Sequence, residues 1–241
     1  MRLIHPRDFK FTQYGAIKGD YQTNNTYTYN RTGRERPATR RISASAAGMA
    51  CRTLAKMKRA VFLDRDGTLI EEGEYLHRPE YVRIFAGAGA ALRQLSAAGF
   101  ALFIVSNQSG VGRGYFTMAD VENVHRHLCT QLARAGVRFT KIYVATEAPD
   151  QPSRGRKPSP QFLFDARDEF GVELGGSFMI GDKLIDLECG WNAGVKQSLL
   201  VRTGYGTELE RQSPDKLKKA VVVNDLTTAA AWILDSALKK G

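Results

Sequence analysis

Residues 60–70 read AVFLDRDGTLI, and the rest of the chain can be understood outward from them. Ala60 to Leu63 form an apolar run of the length of a buried strand, and it stops at a pair of carboxylates followed by a glycine. Alternation along an ideal strand sends Asp64 and Asp66 the same way, and Gly67 lets the chain turn sharply behind them, so both can reach one phosphate. In that arrangement Asp64 can attack phosphorus, while Asp66 can protonate the departing oxygen and later activate water. A lone pair of carboxylates also fits a surface turn, but the surrounding sequence argues against that reading.

From Lys58 onward short apolar runs alternate with helical stretches, the pattern of βαβ units and hence of an α/β domain with a mostly parallel sheet over residues 58–241. The spacing predicts strands at Ala60 to Leu63, Ala101 to Val105, Lys141 to Val144, Ser177 to Ile180, Ser198 to Val201 and Ala220 to Val223. Helices are predicted at Gly87 to Ala98, Met118 to Ala135, Pro160 to Phe170, Leu184 to Asn192 and Leu226 to Leu238. In open sheets of this kind ligands gather beyond the carboxyl ends of the strands. Asp64, Ser106 and Asp182 each fall at or just past such an end, and Lys157 lies in the loop after the third strand, so the four are expected to meet at one rim.

Each contributes something the carboxylate pair lacks. Two carboxylates repel a phosphate dianion, so the site needs positive charge, and a magnesium ion supplies it economically. The segment MIGDKLIDLECG offers oxygen ligands: Asp182 for direct coordination, with Asp186 outside the ligand set, gripping Lys157 or a metal-bound water. An aspartate at 182 would also suit a helix N-cap. Ser106 and Asn107 place small hydrogen-bonding groups beside backbone amides that can hold a phosphoryl group, and Lys157 can neutralise charge as phosphoryl transfer proceeds.

Order and spacing together resemble the haloacid dehalogenase (HAD) superfamily. Asp64-Arg65-Asp66-Gly67-Thr68, Ser106, Lys157 and Gly181-Asp182 with Asp186 match its four motifs over residues 60 to about 205. The resemblance implies a HAD-like Rossmannoid three-layer fold and an aspartyl-phosphate mechanism. Magnesium would be held by the Asp64 carboxylate, the Asp66 carbonyl and Asp182. A closer resemblance, to the D-glycero-D-manno-heptose 1,7-bisphosphate phosphatases and the related histidinol-phosphate phosphatases, is carried by NQSGVGRGYFT, DRDGTLIEEGEYLHRPEYVRIFAGAGAALRQL and GRKPSPQFLFDA.

That group lacks a large cap domain, and only short segments separate the motifs here, so specificity is expected to come from loops. The resemblance assigns substrate contact to Thr68, Glu72, Gly73, Glu74, Tyr75, Asn107, Gln108, Ser109, Arg113, Arg156 and Lys183. Arg156 and Arg113 suit the second, non-reacting phosphate of a sugar bisphosphate, which needs a forked cationic partner. Many of these relatives carry a zinc loop of Cys-x-His and Cys-x-Cys pairs before Arg-Lys-Pro. The stretch VATEAPDQPSRGRKP contains no Cys or His, so no zinc is expected.

Bulk properties narrow the partners. The chain of 241 residues has a net charge of +10, but residues 1–59 hold 13 Lys or Arg against three acids while residues 60–241 balance at 22 and 22. A neutral catalytic part argues against a nucleic-acid partner, because binding a phosphate backbone needs a basic track near the site. Residues 1–57 lack periodicity and are read as a poorly ordered basic leader, either a targeting segment or a start assigned too far upstream, with Met49 and Met57 as later starts. No apolar run suits a membrane span, and Cys51, Cys129 and Cys189 form no metal-ligand or disulfide pattern. A monomer in a reducing cytoplasm is expected.

The reading that follows is removal of the C7 phosphate of a heptose 1,7-bisphosphate, a step toward activated heptose for lipopolysaccharide or another glycoconjugate. Alternatives are hydrolysis of histidinol phosphate, with Glu72 and Glu74 receiving its cationic groups, or of another small phosphomonoester. A nucleic-acid 3′-phosphatase and a non-catalytic scaffold follow at a distance, since every member of the catalytic constellation is present. His125 and His127, two apart on one predicted helix, are read as structural.

Overall fold

β1 (Ala60–Leu63) is buried on both faces, as a central strand of a parallel sheet must be. The computed structural model describes residues 58–238, so the expectations for the leader, including Cys51, fall outside the described residues. β1 pairs in parallel with β2 (Ala101–Asn107) on one side and β4 (Phe178–Gly181) on the other. β3 (Lys141–Ala145), β5 (Gln197–Val201) and β6 (Val221–Val223) complete a six-stranded sheet ordered β3-β2-β1-β4-β5-β6, parallel throughout rather than mostly so.

Period-two alternation splits β1 between two cores. Val61 and Leu63 pack with α1 (Ala88–Ala97), α3 (Met118–Arg134) and α7 (Leu226–Leu238), through residues such as Leu92, Leu128 and Ile233. Ala60 and Phe62 pack on the opposite face with α4 (Gln161–Phe170) and α5 (Leu184–Ala193), where Phe62 stacks on Phe103 at 5.2 Å between ring centroids. The result is the three-layer α/β/α arrangement expected, with no large cap inserted among the described residues.

The differences from the expected elements have local causes. β2 runs on to Asn107 because Ser106 and Asn107 still find partners in Val144 and Ala145 of β3. β4 starts after Ser177, whose hydroxyl accepts from the Ala60 amide at 2.9 Å and donates to the Glu173 carbonyl at 2.6 Å, linking the strand start to its neighbour through a side chain. Two short helices, α2 (Ser109–Gly112) and α6 (Gly206–Gln212), are too brief to show a hydrophobic period in sequence. α3 opens with a capping box in which the Thr117 amide donates to Asp120 at 2.8 Å, and α4 and α5 stop at left-handed Gly171 and Gly194. The strand order reverses between β1 and β4, which is where such folds open a crevice for ligands. No described helix is long and apolar enough to cross a membrane.

Candidate active site

Asp64 is the first residue beyond β1, anchored by its amide to the Ile180 carbonyl of β4 at 2.9 Å. Its Oδ1 accepts from Lys157 Nζ at 2.6 Å, and the same ammonium reaches the Val105 carbonyl at 2.7 Å and Asp186 Oδ1 at 2.7 Å. Lys157 arrives from the loop between β3 and α4, and its backbone is held on both sides by the Asn107 side-chain amide, at 3.0 and 3.1 Å. Asn107, expected at the substrate, therefore also fixes the lysine. Ser106 is buried in β2, where its hydroxyl accepts from Gln108 Nε2 at 2.7 Å.

Burial sets the electrostatics. It lifts the Asp64 carboxyl to about 6, with Lys157 working against the rise and Asp186 and Asp66 with it. Asp182, at the end of β4, is pushed further, to about 8, by burial and then by the charges of Asp64 and Asp186. Burial opposes the charge on Lys157, but the Asp186 and Asp64 carboxylates outweigh it and hold the ammonium above the usual lysine range. Two buried carboxylates, Asp64 and Asp186, thus share one buried ammonium, while Asp182 is opposed by the charge of Lys183.

The Asp182 carboxylate is locked from behind. Its Oδ2 accepts from the Tyr205 amide at 2.9 Å, while a Cβ built on Gly67 or on Gly204 would come within 2.2 Å of that oxygen. Gly67 has φ +79° and Gly204 φ +55°, so both positions favour glycine for conformation as well as space. Asp182 Oδ1, by contrast, is buried without a hydrogen-bond partner. Carboxylate oxygens of Asp64, Asp182 and Asp186 lie within 4.8 Å of one another. An orphaned oxygen in a hard, over-negative donor set fits a divalent cation that prefers oxygen ligands. Asp186 has less to offer such an ion, since Lys157 holds its Oδ1 and the Lys183 amide its Oδ2 at 2.9 Å.

Beside this cluster lies a cavity of about 380 Å³, lined by Glu72 to Tyr75, Lys183 and Tyr205. Asn107, Gln108, Ser109 and Arg156 complete its lining around Asp64, Asp66 and Lys157. Lys183 links two parts of the lining, pairing with Glu72 at 2.8 Å and lying 4.6 Å above the Tyr205 ring centroid. Arg156 Nη1 donates to the Glu147 carbonyl at 3.1 Å; burial and then the nearby Arg113 cation lower its proton affinity. Four of the expected site residues do not line the cavity: Thr68, Ser106 and Asp182 are buried and Arg113 is exposed.

Two contributors were not expected from sequence. The β5–α6 turn supplies Gly204 and the Tyr205 amide, and Thr203 Oγ1 donates to the Gly67 carbonyl at 2.6 Å; the TGYG after a strand was the available signal. Arg65 is only 1% exposed and turns inward to Asp66, and nothing in the local sequence distinguishes it from a solvent-facing arginine.

Comparison with known proteins agrees with this architecture. Residues 155–229 match the HAD-hydrolase-like family model. The D-glycero-beta-D-manno-heptose-1,7-bisphosphate 7-phosphatase of Escherichia coli K12 is 35% identical over 190 residues, covering 76% of this chain and 92% of that protein. The D-glycero-D-manno-heptose-1,7-bisphosphate 7-phosphatase of Chlorobaculum tepidum is 39% identical over 163 residues, 62% of this chain and 81% of that protein. Among solved structures, the D,D-heptose 1,7-bisphosphate phosphatase of B. bronchiseptica, complexed with magnesium and phosphate, superposes with a TM-score of 0.69 at 28% identity, covering 74% of this chain and 99% of that one.

Fold and relatives define a HAD-type phosphatase, an enzyme that hydrolyses phosphoric monoesters. Within that class the chain belongs to the family of the D-glycero-D-manno-heptose 1,7-bisphosphate 7-phosphatases.

Proposed function

We propose that this protein removes the C7 phosphate of D-glycero-D-manno-heptose 1,7-bisphosphate through a phosphorylated Asp64, with magnesium as its cofactor, as a step toward activated heptose for a glycoconjugate. The observation that carries the mechanism is the convergence of Asp64 after β1, Lys157 from the β3–α4 loop, and Asp182 and Asp186 from the β4–α5 junction onto one buried cluster. The sugar comes from the relatives' named activity.

Asp64 attacks phosphorus as the bond to the sugar oxygen breaks, and Asp66 gives its proton to that oxygen. Asp66 then takes a proton from the water that hydrolyses the aspartyl phosphate. Lys157, fixed by three oxygen partners, offsets charge on the transferring phosphoryl group without reorganising, and Ser106 donates to it. The Asp64 and Asp182 carboxylates and the Asp66 carbonyl would hold magnesium, which when bound screens the carboxylates from the phosphate and polarises phosphoryl oxygens.

Magnesium binding has a readout independent of turnover. Asp64 and Asp182 rise from 3.8 in their ordinary state to about 6 and about 8 in the metal-free fold, so both favour folding when protonated. That contribution is complete below the ordinary carboxylate value and is lost as pH rises through 6 and then 8. An ion competing with those protons should raise Tm more at about pH 8 than at about pH 5.5. Equal shifts at the two pH values, measured by scanning calorimetry, would remove these carboxylates from the ligand set.

The substrate is tested by magnesium-dependent phosphate release across both heptose 1,7-bisphosphate anomers, other sugar phosphates, histidinol phosphate and a 3′-phosphorylated oligonucleotide. One heptose anomer should dominate in kcat/KM; broad, weak release would discard the heptose. Arg156→Ala should raise KM for the bisphosphate by about tenfold or more, on the scale of a hydrogen bond to a charged group, and leave a heptose 7-monophosphate nearly unaffected. An equal effect on both substrates would show that Arg156 does not read the second phosphate.

A further inference from the structure

We propose that Arg65 is the positioning residue for Asp66, and that His125 acts through it by fixing the orientation of the guanidinium. This rests on the reading of Asp66 as the general acid.

Burying a guanidinium is costly unless its donors are met, and here all three nitrogens are engaged. Nε donates to Asp66 Oδ2 at 3.0 Å and Nη2 to Asp66 Oδ1 at 2.9 Å, a two-pronged grip that sets the plane of the carboxylate. Nη2 also reaches the Gln108 Oε1 at 3.0 Å and the Leu76 carbonyl at 3.3 Å, in the loop that walls the cavity. Gln108 closes the circuit by donating to both Asp66 Oδ2, at 2.9 Å, and Ser106 Oγ. The side-chain partners of Nε and Nη2, Asp66 and Gln108, both line the cavity.

The remaining nitrogen, Nη1, lies 3.3 Å from Nε2 of His125, a buried residue of α3 that does not line the cavity. A guanidinium only donates, so Nε2 accepts and the imidazole is neutral with its proton on Nδ1. Burial, and then the charge of Arg65, push His125 down to about 3, with Asp66 opposing, so the acceptor persists at any pH at which the enzyme would work. Without it, Nη1 loses its partner, and the orientation of the guanidinium over Asp66 rests on the contacts of Nε and Nη2 alone.

A misplaced general acid matters in proportion to how badly the leaving group needs a proton. The test is kcat/KM, which reports steps through leaving-group departure, on phenyl phosphate and p-nitrophenyl phosphate, alike in shape but with phenoxide much the poorer leaving group. His125→Leu should lose about tenfold on phenyl phosphate and no more than about threefold on p-nitrophenyl phosphate, and Arg65→Gln on the order of a hundredfold on the former. His125→Gln, which restores an acceptor, should recover most of the loss. If Arg65→Gln does not fold, the two His125 variants decide the matter. Equal losses on both substrates, or no loss in His125→Leu, overturn the proposal. Asp66→Asn separates the two levels: if it shows the leaving-group dependence and the His125 variants do not, only the positioning role falls. If Asp66→Asn lacks that dependence, the acid assignment falls and takes the positioning role with it.

Discussion

Asp64→Asn will lower phosphate release by about 10⁴-fold or more, the scale on which loss of a nucleophile is felt, and in the metal-free protein it will also raise the melting temperature near neutral pH. Both outcomes have one origin. The carboxylate is 5% exposed and raised by burial to about 6, so near neutrality the fold holds an ionised group that would be better solvated in the unfolded chain. An amide of the same shape carries no such penalty. The sign follows from the direction of the shift: the advantage of the variant should shrink as pH falls through 6 and vanish below 3.8, where the wild-type carboxyl is neutral in both states. Thermal melts with chelator across that range, beside a turnover assay, check it. A variant that is inactive but no more stable would mean that Lys157 compensates the charge more fully than burial penalises it.

Lys157→Met should cost both activity and stability. The buried ammonium pairs with both Asp64 and Asp186, and its removal leaves those two buried carboxylates without their ion-pair partner, a loss of about 3–5 kcal/mol in metal-free protein. Turnover should fall by about 10³-fold, since charge developing on the phosphoryl group loses a preorganised donor. Lys157→Arg is not expected to rescue it, because a planar fork cannot place one nitrogen against Asp64, Asp186 and the Val105 carbonyl together. Urea unfolding and steady-state kinetics on both variants provide the measurement; a Met variant of wild-type stability would refute the account of the cluster.

Much of this arrangement was legible in the chain. AVFLDRDGTLI, FALFIVSNQSG and MIGDKLIDLECG each announce a strand running into polar residues, and a parallel sheet brings such ends to one rim, so Asp64, Ser106 and Asp182 could be placed together before any contact was known. What could not be read depends on side-chain direction. Thr68 and Arg113 belong to the right motifs but do not line the cavity. Asn107 lies at the rim yet uses both ends of its amide on the Lys157 backbone. Arg65 and His125 are sixty residues apart, and only the packing of α3 against the sheet makes them partners. The clamp on Asp182 was hidden for a related reason: Gly204 and Tyr205 act through a missing side chain and a backbone amide, so the TGYG after β5 reads only as a turn and does not name its partner.

That clamp bears on how the protein is made. Synthesis is vectorial, and Asp64 leaves the ribosome long before the β5–α6 turn. A nascent chain that has delivered four strands and the residue after them already carries Asp64, Lys157 and Asp182, yet lacks the amide that locks the Asp182 carboxylate. Products terminated before residues 204 and 205 would therefore lack the lock on Asp182, and with it β6 and α7 of the finished sheet and core, however well their first strands pair.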